Sequence, residues 1–173
     1  SERLLVRTAL DRAGGTGRLL IGGLGVGYSL AEAVRSPGGT VTVVELETAV
    51  IDWHATHLEP FSAGALHDPR VTVVCADLLA WLRATAETFD AICLDIDNGP
   101  DWTVIDDNAR LYTAGGLDLL AGRLDAGGVL AVWSAAASPA FEDRLRAHFS
   151  AVEIHTVTVP RGEPDVVYLA HRM

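Results

Sequence analysis

Short apolar runs and amphipathic stretches alternate along this chain almost from one end to the other. Runs rich in leucine and β-branched residues, bounded by glycine, proline or polar residues, predict strands. The predicted strands are residues 18–21, 40–44, 70–75, 89–94, 127–133, 151–159 and 164–171. Apolar residues at helical spacing predict helices at residues 2–13, 28–35, 47–57, 78–87, 113–123 and 139–149. Residues 58–68 and 96–110 are predicted to be irregular.

Strands that alternate with helices indicate βαβ units and a mostly parallel, doubly wound α/β sheet. The first five strands are continuous apolar runs, which is typical of strands covered on both faces. The last two strands are joined by the segment PRGEP at residues 160–164, which predicts a hairpin and an antiparallel edge of the sheet.

Composition narrows the class of protein. The chain has 173 residues, of which 49% are hydrophobic and 21% charged, as expected of one globular domain. The net charge of −10 argues against a nucleic-acid partner. It allows a cationic substrate such as a polyamine, but an ordinary acidic surface is the preferred interpretation. No stretch is long and apolar enough to span a membrane and no signal peptide opens the chain, so we expect a cytoplasmic protein.

Two cysteines, Cys75 and Cys93, lie in predicted strands that are not neighbours in the expected sheet. We therefore expect two buried free thiols and no disulfide.

A glycine-rich turn follows the first strand. Ligands of open α/β sheets bind beyond the carboxyl ends of the strands, and glycines there let the backbone turn tightly and approach a ligand. The cofactor-binding candidates are Gly22, Gly23, Gly25 and Gly27. Their spacing differs from the G-x-G-x-x-G pattern of dinucleotide sites. Counted from Gly23 and Gly25, the third glycine of that pattern would be residue 28, which is a tyrosine, so a nicotinamide cofactor is disfavoured.

Acidic residues end the second and third strands. Glu45 lies about twenty residues after the glycines, where an acid binds ribose hydroxyls. Asp77 is placed to reach an adenine amino group, to cap the following helix, or to do both. Leu46 and Leu78 are candidates for the walls of an adenine pocket, and either is also an ordinary core position.

The fourth strand ends in Asp95-Ile-Asp97. A carboxylate at this position can accept a proton from an amine nucleophile or orient the cation, so Asp95 is the catalytic candidate, with loop capping as the alternative. The pair of aspartates alone does not predict a metal site, because no further ligands accompany it. His54 and His57 lie one helical turn apart and are interpreted as part of an ordinary amphipathic helix, so no metal is predicted.

The polar segment 96–110 has the length of a lid over a pocket. Trp102 within it is a candidate to stack on substrate, with a solvated loop anchored by one tryptophan as the alternative.

Several segments, in order along residues 18–133, carry a family resemblance. They are LLIGG at 19–23, VELE at 44–47, DPRVTVV at 68–74 with AD at 76–77, FDAICLD at 89–95, LYT at 111–113 and LDAGGVL at 124–130. In these segments the chain resembles the spermidine synthases (polyamine aminopropyltransferases) and their small spermidine-synthase-like relatives, which have the class I S-adenosylmethionine-dependent methyltransferase fold.

The resemblance implies a Rossmann-like sheet of the class I methyltransferase type, with seven strands in the order 3-2-1-4-5-7-6 and an antiparallel C-terminal hairpin. It implies one domain over residues 1–173, without the N-terminal β-hairpin domain of spermidine synthases. Glu45 would hold the ribose, Asp77 the adenine, and Asp95 would lie nearest the attacking amine. We expect the substrate to contact three residues, namely Asp97, Trp102 and Tyr112.

The leading functional hypothesis is a spermidine-synthase-like transferase. It would move an aminopropyl or methyl group from S-adenosylmethionine, or from its decarboxylated form, to an amine or another small nucleophile. The alternative is a methyltransferase with a non-polyamine acceptor, because Gly25 leaves room for the methionine carboxylate. A non-catalytic nucleoside-binding module is the third hypothesis, and a homodimer is compatible with each of them.

Overall fold

Seven strands form one mixed sheet in the order β3-β2-β1-β4-β5-β7-β6, as predicted. The computed structural model of the chain describes residues 1–15 and 17–172. The strands are β1 (Arg18–Gly22), β2 (Thr40–Glu45), β3 (Val71–Cys75), β4 (Phe89–Leu94), β5 (Leu124–Ser134), β6 (Ala151–Val157) and β7 (Asp165–His171). Strands β1 to β5 pair in parallel, whereas β7 pairs antiparallel with both β5 and β6.

Helices cover both faces of the sheet. They are α1 (Glu2–Arg12), α2 (Tyr28–Ala33), α3 (Thr48–Trp53), α4 (Glu59–Ser62), α5 (Leu78–Ala84), α6 (Ala114–Gly122) and α7 (Pro139–His148). Two 3-10 helices, Ala65–His67 and Asp106–Tyr112, complete the set. No helix in the described part of the chain combines the length and apolar character needed to cross a membrane.

Two apolar cores lie on opposite faces of the sheet because successive side chains of a strand point to opposite sides. In β1, Leu20 packs with α5, α6 and α7 in one core, and Leu19 and Ile21 pack with α1 and α2 in the other. The order of the strands reverses between β1 and β4, which are direct neighbours. This switch point opens a crevice at the carboxyl ends of those two strands.

Strand β3 differs from the prediction that each of the first five strands is covered on both faces. It forms an edge of the sheet with β2 as its neighbour, and none of its residues is fully buried: three are half-buried, and Thr72 and Cys75 are exposed. Cys75 at its end is exposed, so the prediction of two buried thiols is wrong for this residue. Both cysteines are free, as predicted, and Cys93 is buried in β4.

Three predicted helices end clearly earlier than expected, and the one predicted at 28–35 ends at Ala33. The helix predicted at 47–57 ends at Trp53, and Pro60 lies in the first turn of the separate helix α4. The helix predicted at 78–87 ends at Ala84, where Thr85 is extended and its hydroxyl accepts a hydrogen bond from the Glu87 amide at 3.1 Å.

Strand β5 is longer than predicted and begins at Leu124, which pairs with Phe89 before the register shifts at a bulge. The segment predicted to be irregular at 96–110 contains the start of the 3-10 helix Asp106–Tyr112.

Candidate functional site

A cavity of about 310 Å³ lies at the switch point, beyond the carboxyl ends of β1, β2, β3 and β4. We call it the first cavity. The predicted site residues that line it are Gly23, Gly25, Glu45, Leu46, Asp77, Leu78 and Asp95. The structure therefore brings together residues from four strand ends that are up to 72 positions apart in sequence, from Gly23 to Asp95.

The glycines of the turn after β1 divide into two groups. Gly23 and Gly25 line the first cavity. A side chain at Gly23 would collide with the backbone of Asp95, whereas a side chain at Gly25 would enter open space. Gly22 and Gly27 do not line the first cavity; a side chain at Gly22 would collide with Leu78, and one at Gly27 would collide with His54 and Ser62.

Glu45 holds the glycine turn in place. Its buried carboxylate accepts a hydrogen bond from the Leu24 amide at 2.8 Å and a second from the Glu47 amide at 2.8 Å. Each bond uses a different carboxylate oxygen, and a carboxylate oxygen has two acceptor sites. The predicted contact with ribose hydroxyls is therefore compatible with the structural role of Glu45.

His54 holds the same turn from the other side. It is 2% exposed, and its Nε2 atom lies 3.0 Å from the Gly25 carbonyl oxygen. Because a carbonyl oxygen only accepts, Nε2 carries the hydrogen in this contact. The structure thus gives His54 a specific packing role beside the glycine turn that helical spacing alone did not predict.

Asp77 caps helix α5, as one of its two predicted roles requires. Its Oδ1 atom accepts a hydrogen bond from the Ala80 amide at 2.7 Å. Asp77 also lines the first cavity beside Leu78, and Leu46 lines the cavity from the loop after β2. The contact of Asp77 with adenine remains a prediction that this placement allows.

Asp95 lies where β4 ends. Its Oδ2 atom accepts a hydrogen bond from the hydroxyl of Ser29 on α2 at 2.8 Å. Burial raises the pKa of Asp95 above its usual range, and the bond from Ser29 partly opposes that rise. A carboxylate with a raised pKa is a stronger proton acceptor once it is ionised.

Asp97 and Tyr112 contact each other beneath the loop after β4. The Tyr112 hydroxyl donates to Asp97 Oδ2 at 3.0 Å, and the pKa of Tyr112 is raised by burial and by the negative charge of Asp97. Asp97 is 6% exposed and does not line the first cavity. The predicted substrate contact of these two residues remains a prediction.

Trp102 lines a second cavity of about 420 Å³, which lies between the loop after β4, the end of β5 and the β6–β7 hairpin. We call it the second cavity. Trp102 is 68% exposed, so its ring is free to contact a ligand there. Charged residues of the second cavity are Asp101, Arg161, Glu163 and Asp165.

The sequence did not single out the acids of the β6–β7 hairpin, Glu163 and Asp165. The available signal was the antiparallel direction of β7, because an antiparallel strand begins at the edge where the parallel strands end. The sequence analysis also missed seven lining residues of the first cavity, namely Val44, Glu47, Ala76, Ile96, Val104, Ile105 and Asn108. In residues 1–15 and 17–172, no group of three or more histidine, cysteine, aspartate or glutamate residues has the arrangement of a metal site.

Comparison with known proteins identifies the family. The family model for the spermine/spermidine synthase domain matches residues 6–161. This chain belongs to the spermine/spermidine synthase family. Among curated relatives of the family, a polyamine aminopropyltransferase of Corynebacterium efficiens is 39% identical over 122 residues. That match covers 69% of this chain and 22% of the relative, so the chain spans about a fifth of the length of the curated enzyme.

Solved structures share the fold of this spermine/spermidine synthase family member. A spermidine synthase in complex with the transition-state analogue AdoDATO is similar to it with a TM-score of 0.77 and 20% identity, over 99% of this chain and 58% of that one. Human methyltransferase-like protein 13 in complex with SAH has a TM-score of 0.72 and 18% identity, over 98% of this chain and 78% of that one. These likenesses confirm the predicted class I methyltransferase fold.

Proposed function

We propose that this chain transfers an aminopropyl group from decarboxylated S-adenosylmethionine to a small amine. The observation that carries the proposal is the charge of the first cavity. Four of its lining residues are acids, namely Glu45, Glu47, Asp77 and Asp95, and none of its lining residues is basic. Such a lining attracts a sulfonium cation and an ammonium group, and it offers no basic side chain to a carboxylate.

The residues that line the first cavity fit an adenosyl ligand. A cavity of about 310 Å³ is at the lower end of the range for small-ligand sites. Gly23 lets the ligand approach the backbone, since no side chain fits at that position. Glu45 would bind the ribose hydroxyls and Asp77 the adenine amino group, with Leu46 and Leu78 as apolar walls.

Asp95 is the proposed proton acceptor. The bound sulfonium supplies an electrophilic carbon, whose bond to sulfur breaks with its electron pair going to sulfur as the amine nitrogen forms a new bond to that carbon. The amine must lose a proton to attack, and Asp95 would accept that proton on Oδ1 because Ser29 holds Oδ2. The hydroxyl of Ser29 also fixes the carboxylate in one orientation, which supports alignment of the amine with the carbon.

The second cavity is the proposed site of the acceptor's distal part. Its three acids, Asp101, Glu163 and Asp165, outnumber its one base, Arg161. A net negative lining favours a cationic chain over an anionic or neutral one. The exposed ring of Trp102 would add a cation–π contact with an ammonium group.

A methyltransferase is the second candidate, and one observation favours it. The space beside Gly25 is open, so the methionine carboxylate of intact S-adenosylmethionine has room there. Intact S-adenosylmethionine would then be the donor, and the bond between its sulfonium sulfur and its methyl group would break.

The thioether product distinguishes the two reactions. We would incubate the protein with putrescine and either decarboxylated or intact S-adenosylmethionine, and analyse the nucleosides by mass spectrometry. Aminopropyl transfer leaves methylthioadenosine, and methyl transfer leaves S-adenosylhomocysteine. A mixture of natural amines in place of putrescine extends the test to other acceptors.

The matched control is Asp95→Asn, which keeps the shape of the side chain and removes the proton acceptor. We expect this variant to form product about 10²–10⁴ times more slowly. Absence of both thioethers with the folded wild-type protein would contradict the proposed activity.

A further inference from the structure

Residues 101–108 form part of the wall of both cavities, and we call this segment the shared wall. Its first part borders the second cavity through Asp101 and Trp102. Its last part borders the first cavity through Val104, Ile105 and Asn108. A displacement of this one segment would therefore change the shape of the two cavities together.

Asp97 contacts the shared wall from below and accepts three hydrogen bonds. Its Oδ1 atom accepts from the Val104 amide at 2.7 Å and from Asn108 Nδ2 at 3.0 Å. Its Oδ2 atom accepts from the Tyr112 hydroxyl at 3.0 Å. Hydrogen bonds to a buried ionised carboxylate are stronger than those between neutral groups.

The geometry points to Asp97 as a positioning residue that anchors the shared wall and thereby sets the shape of both cavities. That the two cavities bind the donor and the acceptor rests on the proposed function. Asp97 is buried and already engaged on both oxygens, so an acceptor amine would have to displace one of these three donors to reach it. Asp95, which does line the first cavity, needs no such displacement.

Two substitutions distinguish anchoring from direct contact with an amine. In Asp97→Asn the amide oxygen still accepts from Val104 and Asn108, and the amide nitrogen can donate to the Tyr112 hydroxyl oxygen. The anchor is thus retained while the negative charge is lost. In Asp97→Ala both are lost. If Asp97 anchors the wall, Asp97→Asn should resemble wild type in amide exchange and ligand binding. If Asp97 instead recognises an amine through its charge, Asp97→Asn should be as impaired as Asp97→Ala.

Hydrogen–deuterium exchange in the ligand-free protein measures the anchor without any cofactor. We expect Asp97→Ala to accelerate amide exchange in residues 101–108 by about tenfold or more, with little change in β1 and β4. Asp97→Asn should stay within about threefold of wild type. Asp106→Asn, an exposed acid within the same wall, is the matched control and should leave the exchange unchanged.

Three results would overturn the inference: unchanged exchange in Asp97→Ala, equal acceleration across the whole sheet, or an asparagine variant as fast as alanine. If Asp97→Ala fails to fold, Tyr112→Phe removes one of the three donors and should accelerate exchange in the wall by about threefold to tenfold. Unchanged exchange in that variant would count against the anchor.

Binding of methylthioadenosine, the thioether product of aminopropyl transfer, then links the wall to the first cavity. We expect Asp97→Ala to weaken this binding by about tenfold and Asp97→Asn to leave it within about threefold of wild type. Equal affinity of wild type and Asp97→Ala would contradict the effect on the cavity. Failure of the wild-type protein to bind would instead contradict the proposed function, and the exchange data would still decide the role of Asp97.

Discussion

The hydroxyl of Ser29 donates a hydrogen bond to Oδ2 of Asp95 over 2.8 Å, and it joins the first turn of α2 to the end of β4. Ser29 is 2% exposed, so water does not compete for this bond. The glycine turn that precedes α2 thus brings the backbone that is proposed to bind the cofactor close to Ser29, the partner of the proposed proton acceptor.

Loss of this bond should move the pH dependence of catalysis. The bond from Ser29 lowers the pKa of Asp95, so Ser29→Ala should raise that pKa further. Because Asp95 must be ionised to accept a proton, we expect the acidic limb of the kcat/KM profile to move to higher pH. Ser36→Ala, in the turn after α2, is the control, and an acidic limb that stays in place in Ser29→Ala would contradict the role of Ser29.

The burial of Asp95, the proposed proton acceptor, should also reduce the stability of the fold. Burial raises the pKa of Asp95 in the folded protein, so the folded state binds the proton more tightly than the unfolded state. Asp95 contributes its whole stabilising free energy at pH values below the ordinary aspartate pKa. This contribution is lost as the pH rises through the raised pKa of the folded state. Asp95→Asn should therefore increase Tm at pH 7, by about 2–4 °C for each kcal/mol regained, although it slows product formation.

Thermal melts of wild type and Asp95→Asn at pH 3 and pH 7 check this sign. The difference in Tm between the two proteins should be larger at pH 7 than at pH 3. A variant that melts below wild type at pH 7 would show that interactions of the carboxylate outweigh the cost of its burial.

Asp77 should show separable effects on folding and binding. Asp77→Ala loses the cap of α5, which should lower the stability by about 1 kcal/mol and Tm by about 2–4 °C. Asp77→Asn keeps an oxygen for the Ala80 amide and should melt within about 1 °C of wild type. Both variants should bind S-adenosylmethionine about tenfold more weakly, because neither offers a free carboxylate oxygen to the adenine amino group. Wild-type affinity in Asp77→Asn, measured by calorimetry, would exclude the adenine contact.

The alternation of strands and helices was predictable because it depends on local signals, whereas the order of the strands in the sheet was implied by the family resemblance. Five apolar runs alternate with helices, and the turn at residues 160–164 marks the antiparallel end. The exposure of β3 and the exact end of α5 were not predicted. The exposure of β3 follows from its edge position, and the early end of α5 follows from the side chain of Thr85.

The candidate site shows the same division. Gly23, Glu45, Asp77 and Asp95 follow strands directly, so their shared edge could be inferred from the sequence. The role of His54 depends on how α3 packs against the glycine turn, and the partners of Asp97 depend on the path of residues 101–112. Neither the packing of α3 nor the path of residues 101–112 produces a periodic pattern in the sequence from which it could be predicted.

The contact between His54 and the Gly25 carbonyl should support donor binding. We expect His54→Phe to weaken binding of S-adenosylmethionine by about fivefold to tenfold, because the carbonyl loses its donor and the turn its restraint. His54→Gln keeps an N–H donor and should stay within about twofold of wild type. His57→Phe changes an exposed histidine of the same segment and serves as the control. Equal binding by all three variants would remove His54 from the account of the site.

Calorimetric titration with decarboxylated and intact S-adenosylmethionine, side by side, tests the central claim most directly. The acidic lining of the first cavity predicts binding of both, with tighter binding of the decarboxylated form, and a loss of about tenfold in Asp77→Ala. Tighter binding of the intact form would favour methyl transfer over aminopropyl transfer. Binding of neither ligand by the folded protein would contradict the assignment of the cavity as an adenosyl site.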